Sequence, residues 1–417
     1  MLSARIARMK IITVLLLFIC PFIVLGQEVS DVVEMGASYE NEVYYDLERG
    51  FVKKNARSDW DLALSSNTMS ASVLINDGAD VQLFLLSERA EDWSKVDTLG
   101  KMQMPLYNSD STWEIGAFNK LSKGVFDYGW ADYNKTSHDL VGKFIYAIVL
   151  RDKSVKKIFI EYMKAKGDVQ LKIANLDGSE EQSFSFTKID FKTNDYAFLS
   201  LNDGKFAALQ PDRETWDLLF TKYMSEVSMG PTTAYYPVTG VKHANHVEVA
   251  QRDNIPTDND DYSGASASSN ITTIGSDWKN FNRGTFQYEL VEDRTYFVKS
   301  KGNVWKLYFT SFEGSSTGKI GFNKKLVKSA SIEEPNQIFT IYPNPSSGNI
   351  HIVSDLEQNR DLVLELFDLQ GRLVWTAAHN AKTGFRDVQV DLPVPTGIYN
   401  LRVSSNLGVQ NTRLIVE

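Results

Sequence analysis

The sequence predicts an all-β protein: two tandem antiparallel β-domains followed by a smaller C-terminal β-sandwich. Three observations carry that prediction. Short apolar runs alternate with polar residues and are separated by Gly- and Asp-rich turns, no long stretch shows a helical period, and a set of landmarks recurs about 150 residues apart. With 43% hydrophobic and 12% aromatic residues the 417-residue chain can fill ordinary cores, which excludes disorder throughout. Only one apolar run approaches membrane-spanning length, which excludes a polytopic membrane protein. The net charge of -9 argues against a nucleic-acid backbone as the main partner.

The repeat orders the first three quarters of the chain. Val43–Leu47, the turn Glu48-Arg49-Gly50 and Phe51-Val52 read as a hairpin, and Ala197–Leu201, Asn202-Asp203-Gly204 and Lys205-Phe206 repeat it 154 residues later. Trp60-Asp61-Leu62 is echoed by Trp216-Asp217-Leu218 at an offset of 156. Gly129-Trp130 and Gly275–Trp278 follow, then Lys156–Ile160 and Trp305–Phe309, at offsets near 148. Four landmarks in one order imply a duplicated module, placed at 27–190 and 191–328.

Within each module Trp60, Leu62 and Leu64, like Trp216, Leu218 and Phe220, recur at the period of a strand with one buried face. This makes Trp60 and Trp216 core residues and Asp61 and Asp217 outward-facing structural ones. Further strands are expected at Val81–Leu86, Phe144–Leu150, Ile158–Met163, Val169–Ala174, Thr285–Leu290, Thr295–Lys299 and Lys306–Thr310.

The N-terminus reads as a cleaved signal peptide over residues 1–26, with Arg5, Arg8 and Lys10 ahead of the apolar run Ile11–Leu25. Pro21 breaks that run, which argues against a retained anchor, and Ile19 is bulky where lipidation at Cys20 would want a small side chain. Cleavage leaves a mature chain of charge -12 with no transmembrane segment and, because Cys20 departs, no thiol. Disulfides, Cys-ligated metals and Cys nucleophiles are thereby excluded.

Enzyme signatures are weak. Gly314-Ser315-Ser316-Thr317-Gly318 matches the letters of a nucleophile elbow, but a β-like run follows where that motif needs a helix. Asp258-Asn259-Asp260-Asp261 is oxygen-rich yet lacks the alternating ligands of an EF-hand, and reads as an acidic loop. No enzymatic activity is expected, and the reading is of a binding or structural protein.

The order of hairpin, Trp-Asp strand, Gly-Trp or Asp-Trp-Lys motif and closing Lys-aromatic strand resembles the HmuY-like haem-binding proteins of Bacteroidetes. The clearest stretches are Glu214–Tyr223, Tyr235–Asn245, Ile274–Phe281 and Tyr296–Phe312, with Gly129–Leu140 and Phe144–Ile160 a more diverged partner. The resemblance implies a secreted or surface-held protein that takes haem, or haem from haemoproteins, with the iron clamped between two side chains. His243 and His246 then become candidate haem and metal ligands and His138 a further cofactor-binding candidate, while Met224, Met229 and Tyr236 flank the same region. Residues three apart on a strand face opposite sides, so His243 and His246 can share one iron only across a turn. The alternative is a surface structural or adhesion protein that has kept the fold without the ligands.

After a polar linker at 329–337, Ile341-Tyr342-Pro343-Asn344-Pro345-Ser346-Ser347-Gly348 makes a rigid turn. Val363–Val374 then gives strand, turn and strand around Gly371, and Gly397–Val403 and Arg413–Val416 close the segment. Residues 338–417 closely resemble the Ig-like type A sorting domain of type IX secretion substrates. That resemblance implies the type IX translocon as a partner and delivery, through the periplasm, to the medium or the outer cell surface.

Overall fold

A computed structural model describes residues 26–124, 126–329, 339–356, 360–368, 370–382, 384–405 and 408–417. The predicted signal peptide, Gly26 apart, and the predicted linker, Ser329 apart, lie outside the described residues. The chain divides into two compact units, one ending at Lys328 and the other beginning at Ser329. Among the described residues there are strands and short helical turns and no α-helix, as the sequence predicts.

The first unit contains β1 (Val29–Glu34), β2 (Asn41–Asp46), β3 (Gly50–Ala56), β4 (Leu62–Ser65), β5 (Val73–Ile75), β6 (Gln82–Ser87), β7 (Ala131–Tyr133), β8 (Leu140–Gly142), β9 (Ile145–Val149), β10 (Val155–Met163) and β11 (Asp168–Asn175). It continues with β12 (Gln182–Thr187), β13 (Tyr196–Ser200), β14 (Lys205–Ala207), β15 (Leu218–Met229), β16 (Thr232–His243), β17 (Glu248–Arg252), β18 (Lys279–Asn282), β19 (Gln287–Leu290), β20 (Thr295–Ser300), β21 (Asn303–Phe312) and β22 (Lys319–Lys328).

Two lobes of the same design emerge from the pairing. In lobe 1 the strands run β12-β11-β10-β9-β6 in one sheet and β14-β13-β4-β5 in the other; in lobe 2 they run β1-β22-β21-β20-β17 and β3-β2-β15-β16. Each lobe encloses its own core. Leu62, Leu64, Tyr146, Ile148, Ile158, Leu171 and Leu199 fill lobe 1, while Val43, Tyr45, Leu218, Phe220, Val298, Leu307 and Phe322 fill lobe 2. Each also inserts a hairpin, β7–β8 or β18–β19, after a buried tryptophan, Trp130 or Trp278.

The predicted boundary at 190/191 is not where the cores divide. Lobe 1 is continuous from about Trp60 to Ala207, but lobe 2 combines 216–328 with the first three strands of the chain. β1 pairs with β22 and β2 pairs with β15, so the N-terminal strands supply to lobe 2 what β12–β14 supply to lobe 1. The physical reason lies in the Trp-Asp turns. Asp61 N–H donates to Leu199 O and Leu201 N–H to Asp61 Oδ2; the equivalent bonds in lobe 2 run from Asp217 to Tyr45 O and from Leu47 to Asp217 Oδ2. Each Asp locks onto the hairpin that closes its own lobe, and for Asp217 that hairpin lies at the start of the chain. Both aspartates are buried, at 2% exposure, and not outward-facing.

The outer faces of the two four-stranded sheets meet at a junction. Ala63, Leu74, Tyr196 and Phe198 of lobe 1 form one side of it, Tyr44 and Leu219 of lobe 2 the other. Trp60 and Trp216 pack in this junction, each edge-on to an aromatic of its partner hairpin: Phe198 at 5.3 Å and Tyr44 at 5.0 Å. The approach is close enough that a Cβ on Gly78 would meet Lys222 O at 1.8 Å, so only glycine fits there. A loop of lobe 1 seals the contact: Trp113 Nε1 donates to His243 O at 2.9 Å, and Tyr107 stacks on Tyr235 at 4.5 Å.

The second unit is a two-sheet sandwich of β23 (Phe339–Tyr342), β24 (Asn349–Leu356), β25 (Arg360–Phe367), β26 (Leu373–Ala381), β27 (Gly384–Asp391), β28 (Gly397–Ser405) and β29 (Gly408–Val416). The sheets order β23-β24-β27 and β26-β25-β28-β29 around Ile350, Ile352, Leu364, Leu366, Leu401 and Leu414. The proline turn pins the last strand, because Asn344 Oδ1 accepts Ile415 N–H and Asn344 Nδ2 donates to Arg413 O. Gly371 takes a φ of 77° in the turn between β25 and β26, a conformation that favours glycine.

Candidate functional site

Among the described residues, a cavity of ligand size lies in lobe 1, beside the inserted β7–β8 hairpin. Its volume is about 480 Å³, and Phe126, Tyr128, Tyr133, His138, Leu140 and Met163 give it an aromatic and thioether wall. The sequence builds the wall locally. Trp130, fully buried, hangs the hairpin on the core by donating from Nε1 to Ala71 O at 3.1 Å. Beyond it, Asn134 Oδ1 accepts the N–H groups of Thr136 and Ser137, and the tight turn that follows holds His138 at a φ of 62°.

That turn aims His138 back at its own hairpin. Its Nδ1 hydrogen-bonds Tyr133 Oη, which fixes the ring and leaves Nε2 as the nitrogen available to a ligand. Tyr133 in turn stacks on Phe126 at 5.4 Å with the planes 20° apart. Across the cavity Lys188 donates from Nζ to the carbonyls of Asn67 and Ser70, and burial pushes its pKa down to about 8. Lys164 lines the same cavity from the end of the β10 region.

The other two histidines stand elsewhere and do not converge. His243 ends β16 at 1% exposure, with Nδ1 2.9 Å from Ala244 O and Nε2 2.8 Å from Asn270 O. Both ring nitrogens are therefore held against carbonyls, and burial lowers the pKa of the ring. His246 sits in the turn after β16 with Nε2 3.3 Å from Asp217 Oδ1. Asp217 is a hub: it also accepts from Ser300 Oγ and Leu47 N–H and lies 3.3 Å from Lys301 Nζ. Burial opposes its ionisation, but these hydrogen bonds and the lysine prevail and hold it below the ordinary carboxylate range. His243 and His246 thus serve the architecture of lobe 2.

A haem needs an axial nitrogen that is free to turn toward iron and an apolar slot for the ring. His243 has both nitrogens committed, and His246, with only Nε2 held, does not line the aromatic cavity; of the three, His138 alone lines it, with Nε2 uncommitted. Met224 and Tyr236 lie on the β15–β16 ribbon, paired near each other through Pro237 and Ser225, and do not line the cavity. Met229 is near the tip of the same ribbon.

Two sequence motifs resolve into structure. Gly314–Ser316 is a short helical turn joining the antiparallel β21 and β22, with Ser316 Oγ donating to Glu313 O. Asp260 is held by Lys306 Nζ at 2.6 Å and by Lys325 Nζ, so two ammonium groups occupy the carboxylate of the acidic loop. Among the described residues no group of three or more His, Cys, Asp or Glu side chains is arranged to hold a metal ion.

Tyr133 and Phe126 escaped sequence reasoning as cavity residues. The available signal was the run from Gly129 to His138, in which a buried Trp, an Asx turn and a His close on a Tyr five residues earlier.

Comparisons with known proteins speak to the second unit. Residues 340–417 match the family of secretion system C-terminal sorting domains. No curated protein matches the chain. Among solved structures, a dimeric latent PorU from Porphyromonas gingivalis aligns at 11% identity and a TM-score of 0.16, over 93% of this chain and 34% of that one. The multi-modular glycogen-degrading pneumococcal virulence factor SpuA aligns at 9% identity and a TM-score of 0.14, over 80% and 36%. The chain thus spans about a third of each of these proteins. No helix among the described residues is long and apolar enough to cross a membrane. The C-terminal unit is a type IX secretion sorting domain, and it marks the chain for export to the cell surface or the medium.

Proposed function

We propose that this chain is a non-enzymatic binding protein of the outer surface or the medium, and that its lobe 1 cavity takes haem through His138. The observation that carries the reading is the pairing of an aromatic cavity of about 480 Å³ with a histidine whose Nδ1 is spent on Tyr133 and whose Nε2 is not. Haem would supply an iron that accepts the imidazole nitrogen. Phe126, Tyr128 and Tyr133 would cover its faces, and Lys164 offers a cation to its propionates. Export by the type IX translocon places such a protein where free haem and haemoproteins are met. Titration of the whole chain with ferric haem tests the reading: a saturable red-shifted Soret band supports it, and a spectrum equal to haem in buffer contradicts it.

A surface structural or adhesion role is the second reading, and one observation favours it. Phe286, Phe281 and Tyr288 on the β18–β19 hairpin form a chain of contacting rings at 78%, 48% and 42% exposure. Exposed aromatic clusters of this kind mark interaction surfaces. Loss of cell or matrix binding in a Phe281→Ser, Phe286→Ser variant, with haem absorbance unchanged, would assign adhesion to that hairpin.

A further inference from the structure

Between the lobes, away from the His138 cavity, lies a second site that no sequence motif announces. Two small adjoining cavities, each of about 40 Å³, share Glu42, Trp60, Leu74, Trp113 and Leu219 as walls. Trp216, Tyr44, Tyr196 and Phe198 complete the rings of the first of them, making an aromatic box with two carboxyl groups, Glu42 and Asp195, of which Asp195 is already paired with Arg213 and Gln210. Glu42 is 3% exposed, and its Oε1 has no hydrogen-bond partner. The buried indole N–H groups of Trp60 and Trp216 also lack partners, although Trp60 lies close enough to favour the Glu42 carboxylate. Buried polar groups left unpaired are rare in folded proteins, and three gathered around one cavity call for an occupant.

The chemistry of the three groups selects the occupant. An ammonium ion would satisfy Glu42 and leave two indole N–H groups orphaned. An anion would satisfy the indoles and sit against Glu42. A hydroxyl group does both, donating to Glu42 Oε1 while it accepts from an indole. The ring walls match an aliphatic C–H surface, and each cavity of about 40 Å³ holds a few non-hydrogen atoms, the bulk of a hydroxymethyl arm. Trp60 and Trp113 are only half-buried and carry the wall to the surface, where the rest of a larger ligand would lie. We propose that the aromatic box at the lobe junction binds an uncharged polyhydroxyl ligand of the sugar class, a hydroxymethyl group entering between Glu42 and Trp60. The proposal is independent of the haem reading.

The test is a titration of the whole chain with glycerol, methyl glucoside and methyl galactoside, followed by intrinsic tryptophan fluorescence, since three tryptophans line the box. A saturable change with at least one probe is expected. Glu42→Gln, which keeps the volume and loses the charge, should weaken binding about tenfold, and Trp60→Phe, which keeps a ring and loses the N–H, should do the same. A saturable response to trimethylammonium in place of the hydroxylated probes would overturn the assigned class. No response to any probe would overturn the site and leave a box that holds only water. Binding that survives both substitutions undiminished would place the sugar elsewhere.

Discussion

Asp217 accepts the backbone N–H of Leu47 at 2.8 Å across 170 residues of sequence, and this contact closes lobe 2 with the beginning of the chain. Ser300 and Lys301 converge on the same carboxylate, so its removal leaves several buried groups without a partner. Asp217→Ala is expected to lower the unfolding free energy by about 2–4 kcal/mol, measured by urea denaturation. Asp61→Ala should act similarly through Leu201 and Arg151. A loss within experimental error in both variants would mean that these turns do not hold the lobes shut.

Closure also predicts where the chain fails first. Removing residues 27–56 strips β1 from β22 and β2 from β15. Amide exchange should then become fast throughout β15, β16 and β22 and remain slow in β9–β11 of lobe 1. Uniform retention of protection would show that lobe 2 stands without its N-terminal strands.

The repeat was legible in the sequence and its phase was not. A period of about 154 residues looks the same whether the unit begins at the hairpin or at the Trp-Asp turn, so the landmarks locate the duplication without saying which hairpin pairs with which strand. Pairing was decided by Asp217 and Leu47, a long-range hydrogen bond that leaves no local pattern. The strand candidates fared well because alternation and turn residues are local: Thr295–Lys299 lies within β20 and Val169–Ala174 within β11. The one-sided burial expected of the Trp-Asp strands failed, since β4 is buried on both faces by the junction beyond it. His243 gave no hint of its role, because the carbonyl that holds its Nε2 belongs to Asn270, in a loop 27 residues away.

Glu42 makes stability at the junction depend on pH. Burial is the main cause that pushes its carboxyl up to about 7, with Asn55, Arg57 and Trp60 pulling in the other direction. A carboxyl whose folded pKa exceeds its unfolded value binds more protons when folded. Its contribution is present in full below the unfolded pKa and lost as pH rises toward and through the folded one. Stability is expected to fall by roughly 2–3 kcal/mol from about pH 4.5 to about pH 8 on account of this group, and Glu42→Gln should flatten that slope. An unchanged slope in the variant would show that Glu42 is already ionised in the folded protein.

Deletion of residues 338–417 should leave the first unit folded and stranded in the periplasm, because the sorting domain is a separate compact unit with its own core. Fractionation of cells that express the full and shortened chains reads this directly. Equal amounts of both in the medium or on the surface would remove the sorting domain from the export route.

At the junction, Trp216 is 2% exposed and packs edge-on against Tyr44. Trp216→Ala is expected to destabilise the protein by about 3–5 kcal/mol, measured as a shift of the urea midpoint. A change below about 1 kcal/mol would mean that the lobes meet without depending on this ring.

The sharpest test of the haem assignment is a Soret titration of the whole chain beside three single variants. His138→Ala should abolish the saturable red shift, whereas His243→Ala and His246→Ala should retain it, His243→Ala with lowered stability from the loss of its two carbonyl contacts. A Soret band that persists in His138→Ala and disappears in His243→Ala or His246→Ala would overturn the assignment and move the ligand site to lobe 2.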